Sequence, residues 1–345
     1  MKGRIVALDH SGGRGAAALI VDGRLDDFLI DPGPDAPPSP GSVFRVICDR
    51  PLKGQGGMMV RLPDGTGFLR RDRGLRPGQS LLVQVTGYSE AGKAVPVTDR
   101  LLFKSRYVIV TPGAPGINVS RSIHDADARV RLLEIAADIT RNDPNAGLIL
   151  RSAAQHAADD DVATDIAGTR DISDAVLAEP EGEPELLLDG PDAHALARRE
   201  WGTPDLLAEG RQAFSDHGVH ALTQALASPR IELPNEAFAF IETTRALVAV
   251  DVNTGPDTSP AAGLKANIAL ARDLPRQLRC RGLGGQITID FAPLAKKHRQ
   301  QLEKVLKAGF AKDSIETALP GWTPLGHFEL QRKRERWPVV VDWLD

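Results

Sequence analysis

The sequence predicts an α/β protein of several subdomains, and three patterns lead to this class. Two short runs rich in β-branched residues, 246–253 and 284–291, flank a segment of helical spacing at 262–281. Such a strand–helix–strand unit favours a parallel pair with a right-handed crossover. Residues 42–103 contain five short strand patterns, and the linker 31–41 before them has five prolines in eleven residues, which marks a boundary. The 345 residues therefore suggest two or three domains.

The part of the chain before residue 104 is expected to be β-structure. Three alternating segments separated by hairpin turns come first, at 4–9, 16–22 and 25–30. The next five strands are typical of a small Greek-key barrel of the oligonucleotide-binding type, and are expected at 43–49, 57–62, 66–70, 80–87 and 93–98. In such barrels aromatic side chains stack on bases and basic ones follow phosphates. Phe68 and Lys93 are candidates for that surface, although a core aromatic and a solvated charge explain the same pattern equally well.

The middle of the chain alternates strands and helices. Strands are expected at 107–111, 147–152 and 184–189, and helices at 126–141, 193–201 and 217–227. The strand 147–152 ends in Arg151 and Ser152, whose guanidinium and hydroxyl groups suit phosphate binding. From spacing alone, a surface Arg that merely closes a strand is the more common case. Residues 157–183 are acid-rich, and Asp159-Asp-Asp161 is interpreted as a solvated run.

The candidate chemistry lies at the ends of the two central strands, where Asp251 and Asp290 stand. Parallel neighbours bring their carboxyl ends to one edge of a sheet, where ligands bind. Asn253 follows Asp251 by two residues, so both side chains point to the same face. Mg²⁺ prefers oxygen ligands of this kind and can activate a water for attack on a phosphodiester. The alternative is that each Asp caps a loop or a helix, and spacing alone favours this alternative.

The rest of the sequence adds one basic patch and several exclusions. Two strands are expected within 230–242, a helix at 296–308 and a strand at 324–330; the cluster 332–336 after them is interpreted as an RNA-backbone contact. The net charge of −4 requires any nucleic-acid surface to be local. The two isolated cysteines make no disulfide framework, so a reduced, cytoplasmic setting is expected. Because no apolar run approaches transmembrane length, no membrane partner is expected.

These motifs resemble the ribonuclease E/G family. Its catalytic region is similar to Ala246-Leu-Val-Ala-Val-Asp-Val-Asn-Thr-Gly255, Gly282-Leu-Gly-Gly285 and Ile289-Asp-Phe291. Its 5′-sensor strand resembles Gly147-Leu-Ile-Leu-Arg-Ser152, and its S1 barrel corresponds to Gly67-Phe68 and Gly92-Lys-Ala-Val-Pro-Val-Thr98. The closing strand of its catalytic subdomain resembles Phe328-Glu-Leu-Gln-Arg-Lys-Arg334. The resemblance extends over nearly the whole chain.

The resemblance implies a specific arrangement of subdomains. An RNase H-like subdomain would be split between residues 1–38 and 181–232. An S1-like RNA-binding barrel would occupy 39–103 and a 5′-sensor 104–180. A DNase I-like catalytic subdomain would occupy 233–345.

The resemblance also implies a Mg²⁺-dependent endoribonuclease, with Mn²⁺ as an alternative metal. It would cut single-stranded RNA in RNA decay or ribosomal RNA processing and leave 5′-phosphate and 3′-hydroxyl ends. By position, Asp251 and Asp290 would hold the metal and Asn253 would assist orientation. Arg151 and Ser152 would bind a 5′-monophosphate. The residues implied to contact RNA are Phe68, Lys93, Arg332, Lys333 and Arg334.

Several positions depart from the family pattern. Arg245 replaces a Glu, and Gly282 and Pro293 replace acids on either side of Asp290, which is expected to make the metal site less negative. Pro275 lies within the helix 262–281 and is expected to kink or break it. The family's zinc-link cysteines and small C-terminal domain are lacking in this sequence. No structural zinc is therefore expected, and a homo-oligomer would use another surface.

Two further functions compete with the nuclease. A catalytically weakened family member would bind RNA without cutting it, and the presence of Asp251, Asn253 and Asp290 favours the enzyme. A nucleotide-binding α/β enzyme is disfavoured because no Gly-x-Gly-x-x-Gly follows a strand.

Overall fold

A computed structural model describes residues 3–52, 54, 56–71, 74–90, 92–141 and 143–339. The chain divides into two compact units, the first of Met1–Gly33 with Thr203–Asp345 and the second of Pro34–Gly202. The strands are β1 (Arg4–Ser11), β2 (Arg14–Val21), β3 (Arg24–Ile30), β4 (Val43–Leu52), β5 (Gly57–Leu62), β6 (Gly65–Leu69), β7 (Ser80–Val85), β8 (Val95–Thr98), β9 (Phe103–Lys104), β10 (Val108–Val110), β11 (Gly116–Val119), β12 (Gly147–Leu150), β13 (Glu185–Leu188), β14 (Leu206–Glu209), β15 (Arg230–Glu232), β16 (Phe238–Thr243), β17 (Val248–Asn253), β18 (Gly285–Asp290), β19 (Thr317–Trp322) and β20 (Phe328–Arg332). The helices are α1 (Ala126–Ile139), α2 (Asp159–Leu177), α3 (Ala193–Glu200), α4 (Ala213–Asp216), α5 (Val219–Ala227), α6 (Ala262–Cys280) and α7 (Lys296–Phe310).

The second unit contains the predicted barrel. Strands β4, β5, β6, β8 and β7 follow one another around it, and the antiparallel pairing of β7 with β4 closes the barrel. β6 and β8 are parallel, as a Greek-key path requires, and Val46, Val60 and Val83 fill the interior. The closed five-stranded barrel is confirmed.

The second unit also contains a small sheet with two helices. Strands β11, β12, β10 and β9 lie in that order, and Leu132 of α1 and Ile166 of α2 share its core. The acid-rich segment is the helix α2, which was not predicted. Its three N-terminal aspartates are exposed, as the solvated run required, and they complement the positive end of the helix dipole.

In the first unit, β14, β1, β2 and β3 form a four-stranded sheet covered by Phe214 of α4 and Val219 of α5. The segment 181–232 is divided between the units. β13 pairs antiparallel with the barrel strand β4, whereas β14 pairs parallel with β1. The division of the chain into compact units therefore lies at Gly202, after β13 and α3.

The six-stranded sheet of the first unit has the order β15-β16-β17-β18-β20-β19. β17 and β18 are parallel with α6 between them, which confirms the predicted strand–helix–strand unit. Inward-facing residues of these strands, such as Val250 and Ile289, share one apolar core with Leu270 of α6 and Leu306 of α7. Both helices therefore pack on the same face of the sheet, and the opposite face carries mainly polar side chains.

Helix α6 continues through Pro275 to Cys280, so the expected break is absent. Proline cannot donate to the carbonyl four residues earlier, which belongs to Ala271. Helix α7 packs closely at this point through Gly309. A β-carbon at position 309 would lie 3.2 Å from the Ala271 oxygen and 3.4 Å from Pro275 Cγ. Packing of α7 on α6 therefore supports the helix across the proline.

Within the described residues, none of the helices has the length and apolarity that crossing a bilayer demands.

Candidate active site

The carboxyl ends of β17 and β18 bring two carboxylates together. Asp251 and Asp290 are direct partners in the parallel register. Neighbouring strands lie about 4.8 Å apart, so the two side chains stand next to each other. Asn253 is two residues further along β17 and on the same face. We call Asp251, Asn253 and Asp290 the acidic edge.

Strand alternation explains why the acidic edge is open to solvent. Val250 and Val252 point into the core under α6, and Asp251 between them is exposed. The Asp290 side chain is 66% exposed. The Asn253 amide donates a hydrogen bond of 2.9 Å to Asp251 Oδ2, which fixes the orientation of that carboxylate.

A histidine that the sequence did not single out approaches this edge. His327 Nε2 lies 3.9 Å from Asp290 Oδ1. His327 precedes β20, whose first residue Phe328 pairs with Ile289, so the antiparallel register brings His327 level with Asp290. A backbone hydrogen bond also holds this residue, since the His327 N–H donates to Thr323 Oγ1 at 3.1 Å. Because the position of His327 depends on long-range strand pairing, no local pattern in the sequence predicts it.

The donor set of the acidic edge fits a hard divalent cation such as Mg²⁺. Such an ion is usually held by one or two carboxylates, with water and substrate phosphate completing its shell. Among the residues that the structure describes, no Lys or Arg forms an ion pair with Asp251 or Asp290. The same residues contain no cluster of three or more His, Cys, Asp or Glu suited to a metal. The edge therefore provides a partial shell of two carboxylates, rather than a complete protein cage.

Two of the three positions at which this chain lacks a family acid lie away from the acidic edge. Arg245 is in the turn before β17, at the end of the strand opposite to Asp251. Gly282 precedes β18, at the end opposite to Asp290. Its φ is +65°, and a β-carbon there would be 2.1 Å from the Trp337 carbonyl oxygen, so a side chain at this position would strain the backbone and require it to shift. The expectation that all three replacements weaken the negative edge is therefore corrected, because Pro293 alone of these follows a strand at its carboxyl end.

In the second unit, Arg151 and Ser152 follow β12, as the sequence predicts, but the Arg is already engaged. Its guanidinium donates to the Ser105 carbonyl and to the Glu200 carboxylate. Burial raises the pKa of Glu200, but Arg151 and Arg199 outweigh it and hold that pKa below its ordinary value of 4.5. Ser152 is exposed at the start of a short 3₁₀ helix. A phosphate at Arg151 would therefore compete with Glu200 or use the remaining N–H groups.

The two barrel candidates lie at the surface. Phe68 is half-buried on β6, where it pairs with Met59, and its ring covers Gly57. Lys93 is exposed and forms an ion pair with Glu90.

The prediction that Arg332 contacts RNA is wrong. In β20 the side chains of Phe328, Leu330 and Arg332 alternate inward, so Arg332 is buried in the core. Its Nη2 lies 2.8 Å from Asp313 Oδ1 and its Nη1 lies 2.8 Å from Thr317 Oγ1. Lys333 is exposed and paired with Glu316, and Arg334 is half-buried against the backbone of Gly285.

Comparisons with known proteins all match this chain to one family. A model described as the ribonuclease E/G family matches residues 103–205 and 196–335. The ribonuclease G of Salmonella typhimurium is 29% identical over 305 residues, and that of Escherichia coli is 28% identical over 305 residues; each match covers 76% of this chain and 61% of the relative. The ribonuclease E of Synechocystis sp. is 28% identical over 381 aligned residues, which cover 97% of this chain and 54% of that protein. The chain thus spans between half and two thirds of the length of these relatives.

Proposed function

The chain belongs to the ribonuclease E/G family, and from this premise we propose that it is a Mg²⁺-dependent endoribonuclease acting on single-stranded RNA. It would act in RNA decay or ribosomal RNA processing. The observation that carries the proposal is the acidic edge, where two exposed carboxylates in direct register lie without an Arg or Lys partner among the described residues. Two such charges repel each other, and a divalent cation relieves that repulsion.

Each residue of the acidic edge has a distinct role in this proposal. Asp251 and Asp290 hold Mg²⁺, which when bound lowers the pKa of a water and neutralises charge on the phosphodiester. Asn253 keeps the Asp251 carboxylate in place through its 2.9 Å hydrogen bond. The cut would leave a 5′-phosphate and a 3′-hydroxyl.

The second unit would bind the rest of the RNA. Its closed barrel would be the S1-like domain, with Phe68 stacking on a base and Lys93 contacting a phosphate. The sheet of β9 to β12 would be the 5′-sensor, with Arg151 and Ser152 at the phosphate. In the first unit, the sheet of β1 to β3 with β14 would be RNase H-like and the six-stranded sheet DNase I-like.

Cleavage of a 5′-monophosphorylated, A/U-rich single-stranded RNA in Mg²⁺ tests the proposal. Asp251→Asn and Asp290→Asn are each expected to lower the cleavage rate about 10³-fold, which corresponds to about 4 kcal/mol of transition-state stabilisation. RNA binding without metal should persist in both variants. Asp257→Asn is the matched control, since Asp257 lies in the loop after β17 and caps the backbone of Ser259. Its rate should equal that of the wild type.

Wild-type protein that binds this RNA tightly but does not cut it in Mg²⁺ or Mn²⁺ would overturn the enzyme and leave an RNA-binding protein. Cleavage that survives both substitutions would place the chemistry elsewhere in the chain.

A further inference from the structure

Two aromatic side chains stand on the polar face of the six-stranded sheet. In β16, Ala239 and Ile241 point into the core, so Phe238 and Phe240 point to the opposite face, where both are half-buried. Their rings lie 5.7 Å apart between centroids at an angle of 85°. The remaining residues on this face are mainly polar, namely Glu242, Asn253, Gln286, Thr288, Glu329 and Gln331. Two neighbouring aromatic rings are unusual on a surface that is otherwise mainly polar.

The pair lies directly beside the acidic edge. Phe240 is the antiparallel partner of Asp251, and Phe238 is the partner of Asn253. Adjacent strands are about 4.8 Å apart. A base stacked on one of these rings would therefore be one strand away from a phosphate at Asp251.

A cation completes the surface. The Arg230 guanidinium carbon lies 4.0 Å from the centroid of the Phe238 ring. The same guanidinium donates to Glu232 Oε1 at 2.7 Å, which holds it in that position. Planar guanidinium groups and aromatic rings are the two kinds of surface on which proteins stack unpaired bases.

We propose that Phe238, Phe240 and Arg230 form a base-binding platform, which stacks one nucleobase of single-stranded RNA next to the phosphate held at the acidic edge. This inference rests on the proposed function for the identity of the ligand. Stacking depends little on which base is present, because every base has a π-face. The platform would thus set the position of the strand relative to the carboxylates.

Binding measured without cleavage tests the platform. The probe is a fluorescein-labelled single-stranded RNA oligonucleotide in EDTA, together with a series in which one abasic ribose moves along the strand. One abasic position should weaken wild-type binding about tenfold, the effect of losing one base–aromatic stack. That position should lie within one nucleotide of the bond that is cut in Mg²⁺.

The variants Phe238→Leu and Phe240→Leu retain apolar area on the sheet but remove the rings. Each should weaken binding of the intact RNA by a comparable factor and should show no further loss with that abasic oligonucleotide. Phe240→Trp keeps an aromatic ring and should bind RNA more tightly than Phe240→Leu. The fluorescence of the new indole should be quenched when RNA binds. Gln331→Ala is the control on the same face, and it should bind like the wild type.

Wild-type affinity in both Leu variants, or losses that add independently to the abasic loss, would overturn the platform. Because these measurements need no metal, they are separate from the proposed function. If the Leu variants and the abasic RNA lose the same binding but the protein does not cut RNA, the platform is supported and the nuclease is refuted. If the protein cuts RNA but the Leu variants bind like the wild type, the nuclease is supported and the platform is refuted.

Discussion

Two groups of carboxylates in the first unit have opposite environments. At the acidic edge, Asp251 and Asp290 are exposed and lack an Arg or Lys partner among the described residues. In the interior, Asp27 and Asp313 are buried and bound by Arg side chains. The local sequence does not reveal that the interior pair is buried, since Asp27 follows another Asp and Asp313 lies between Lys312 and Ser314. Their places in the fold decide their chemistry.

The interior group forms a connected network, which we call the ionic core: Asp27, Asp313, Arg279, Arg332 and Arg336. Arg279 bonds to Asp313 and approaches Asp27, Arg332 bonds to Asp313, and Arg336 bonds to Asp27. The network joins β3 to α6 and β20. Charges removed from water are costly unless paired, so the ionic core stabilises one arrangement of these elements. At the acidic edge the charges keep their water, and they remain available to a ligand.

The same substitution, Asp→Asn, at the two sites should separate the two environments most strongly. Asp313→Asn should lower the free energy of unfolding by about 3 kcal/mol, because it leaves Arg279 and Arg332 buried with one negative charge removed. Asp290→Asn should change it by less than about 0.5 kcal/mol, as expected for an exposed side chain. Urea unfolding followed by circular dichroism measures both.

The two substitutions should have the opposite ranking in their effect on the rate of RNA cleavage. Folded Asp313→Asn protein should cut RNA at the wild-type rate, whereas Asp290→Asn protein should not. If Asp290→Asn destabilises the protein as much as Asp313→Asn, the acidic edge is a structural site and the comparison fails.

An acid placed at position 282 tests whether the open edge can be enlarged from the other end of β18. Gly282→Asp should lower stability by about 2 kcal/mol, because a side chain is strained at a φ of +65° and meets the Trp337 carbonyl oxygen. The Mg²⁺ concentration for half-maximal cleavage should not fall, since Gly282 and Asp290 lie at opposite ends of the strand.

Gly218→Asp provides the matched control for this substitution. Gly218 has a φ of +66°, but no atom lies within 4 Å of its ideal β-carbon. It should cost about 1 kcal/mol, the backbone part alone. Equal losses in thermal unfolding at 218 and 282 would show that the contact with Trp337 contributes nothing.

The sequence was sufficient to predict the acidic edge because local patterns and topology agree there. The β-branched runs indicate buried strands, the helix between them makes the strands parallel, and parallel strands end at one edge. The register that pairs Asp251 with Asp290 then follows from the fold. By the same reasoning, alternating segments with Gly-rich turns indicated the barrel strands of the second unit.

Three features could not be predicted, for two physical reasons. His327 and the burial of Arg332 depend on the antiparallel register of β20, which is a long-range property. The helix α2 buries Thr169 and Ser173 as well as apolar residues, so its inward face lacks a clear apolar period. The cluster of charges at 332–336 suggested a contact with RNA, and only the strand alternation of β20 reveals that Arg332 points inward.

Glu200 in the second unit is intermediate between the two environments. Its side chain is partly exposed, yet it binds Arg151 and Arg199. Such a pair contributes less than a buried one, since solvent screens it. If Arg151 binds a 5′-phosphate, Glu200 is also the group that a phosphate must displace.

Glu200→Gln should lower the free energy of unfolding by about 1 kcal/mol at neutral pH. The folded-state pKa of Glu200 lies below its ordinary value of 4.5, so its ionised form stabilises the fold. That contribution is fully present above the ordinary pKa and disappears as the pH falls through the lower, folded-state pKa. The difference between wild type and variant in urea midpoints should therefore be constant from pH 8 to about 5 and vanish in the acid range below it.

The substitution should also release Arg151 for ligands. Inhibition of RNA binding by a 5′-monophosphorylated dinucleotide should become stronger in Glu200→Gln than in wild type, because the competing carboxylate has gone. Glu179→Gln is the control in the same unit, since Glu179 pairs with Arg45 and is largely exposed. A stability difference that persists at low pH would mean that Glu200 acts by packing rather than by charge. Unchanged inhibition would mean that Arg151 does not bind the 5′-phosphate even when its carboxylate partner is gone, in which case Arg151 belongs with the ionic core as a structural cation.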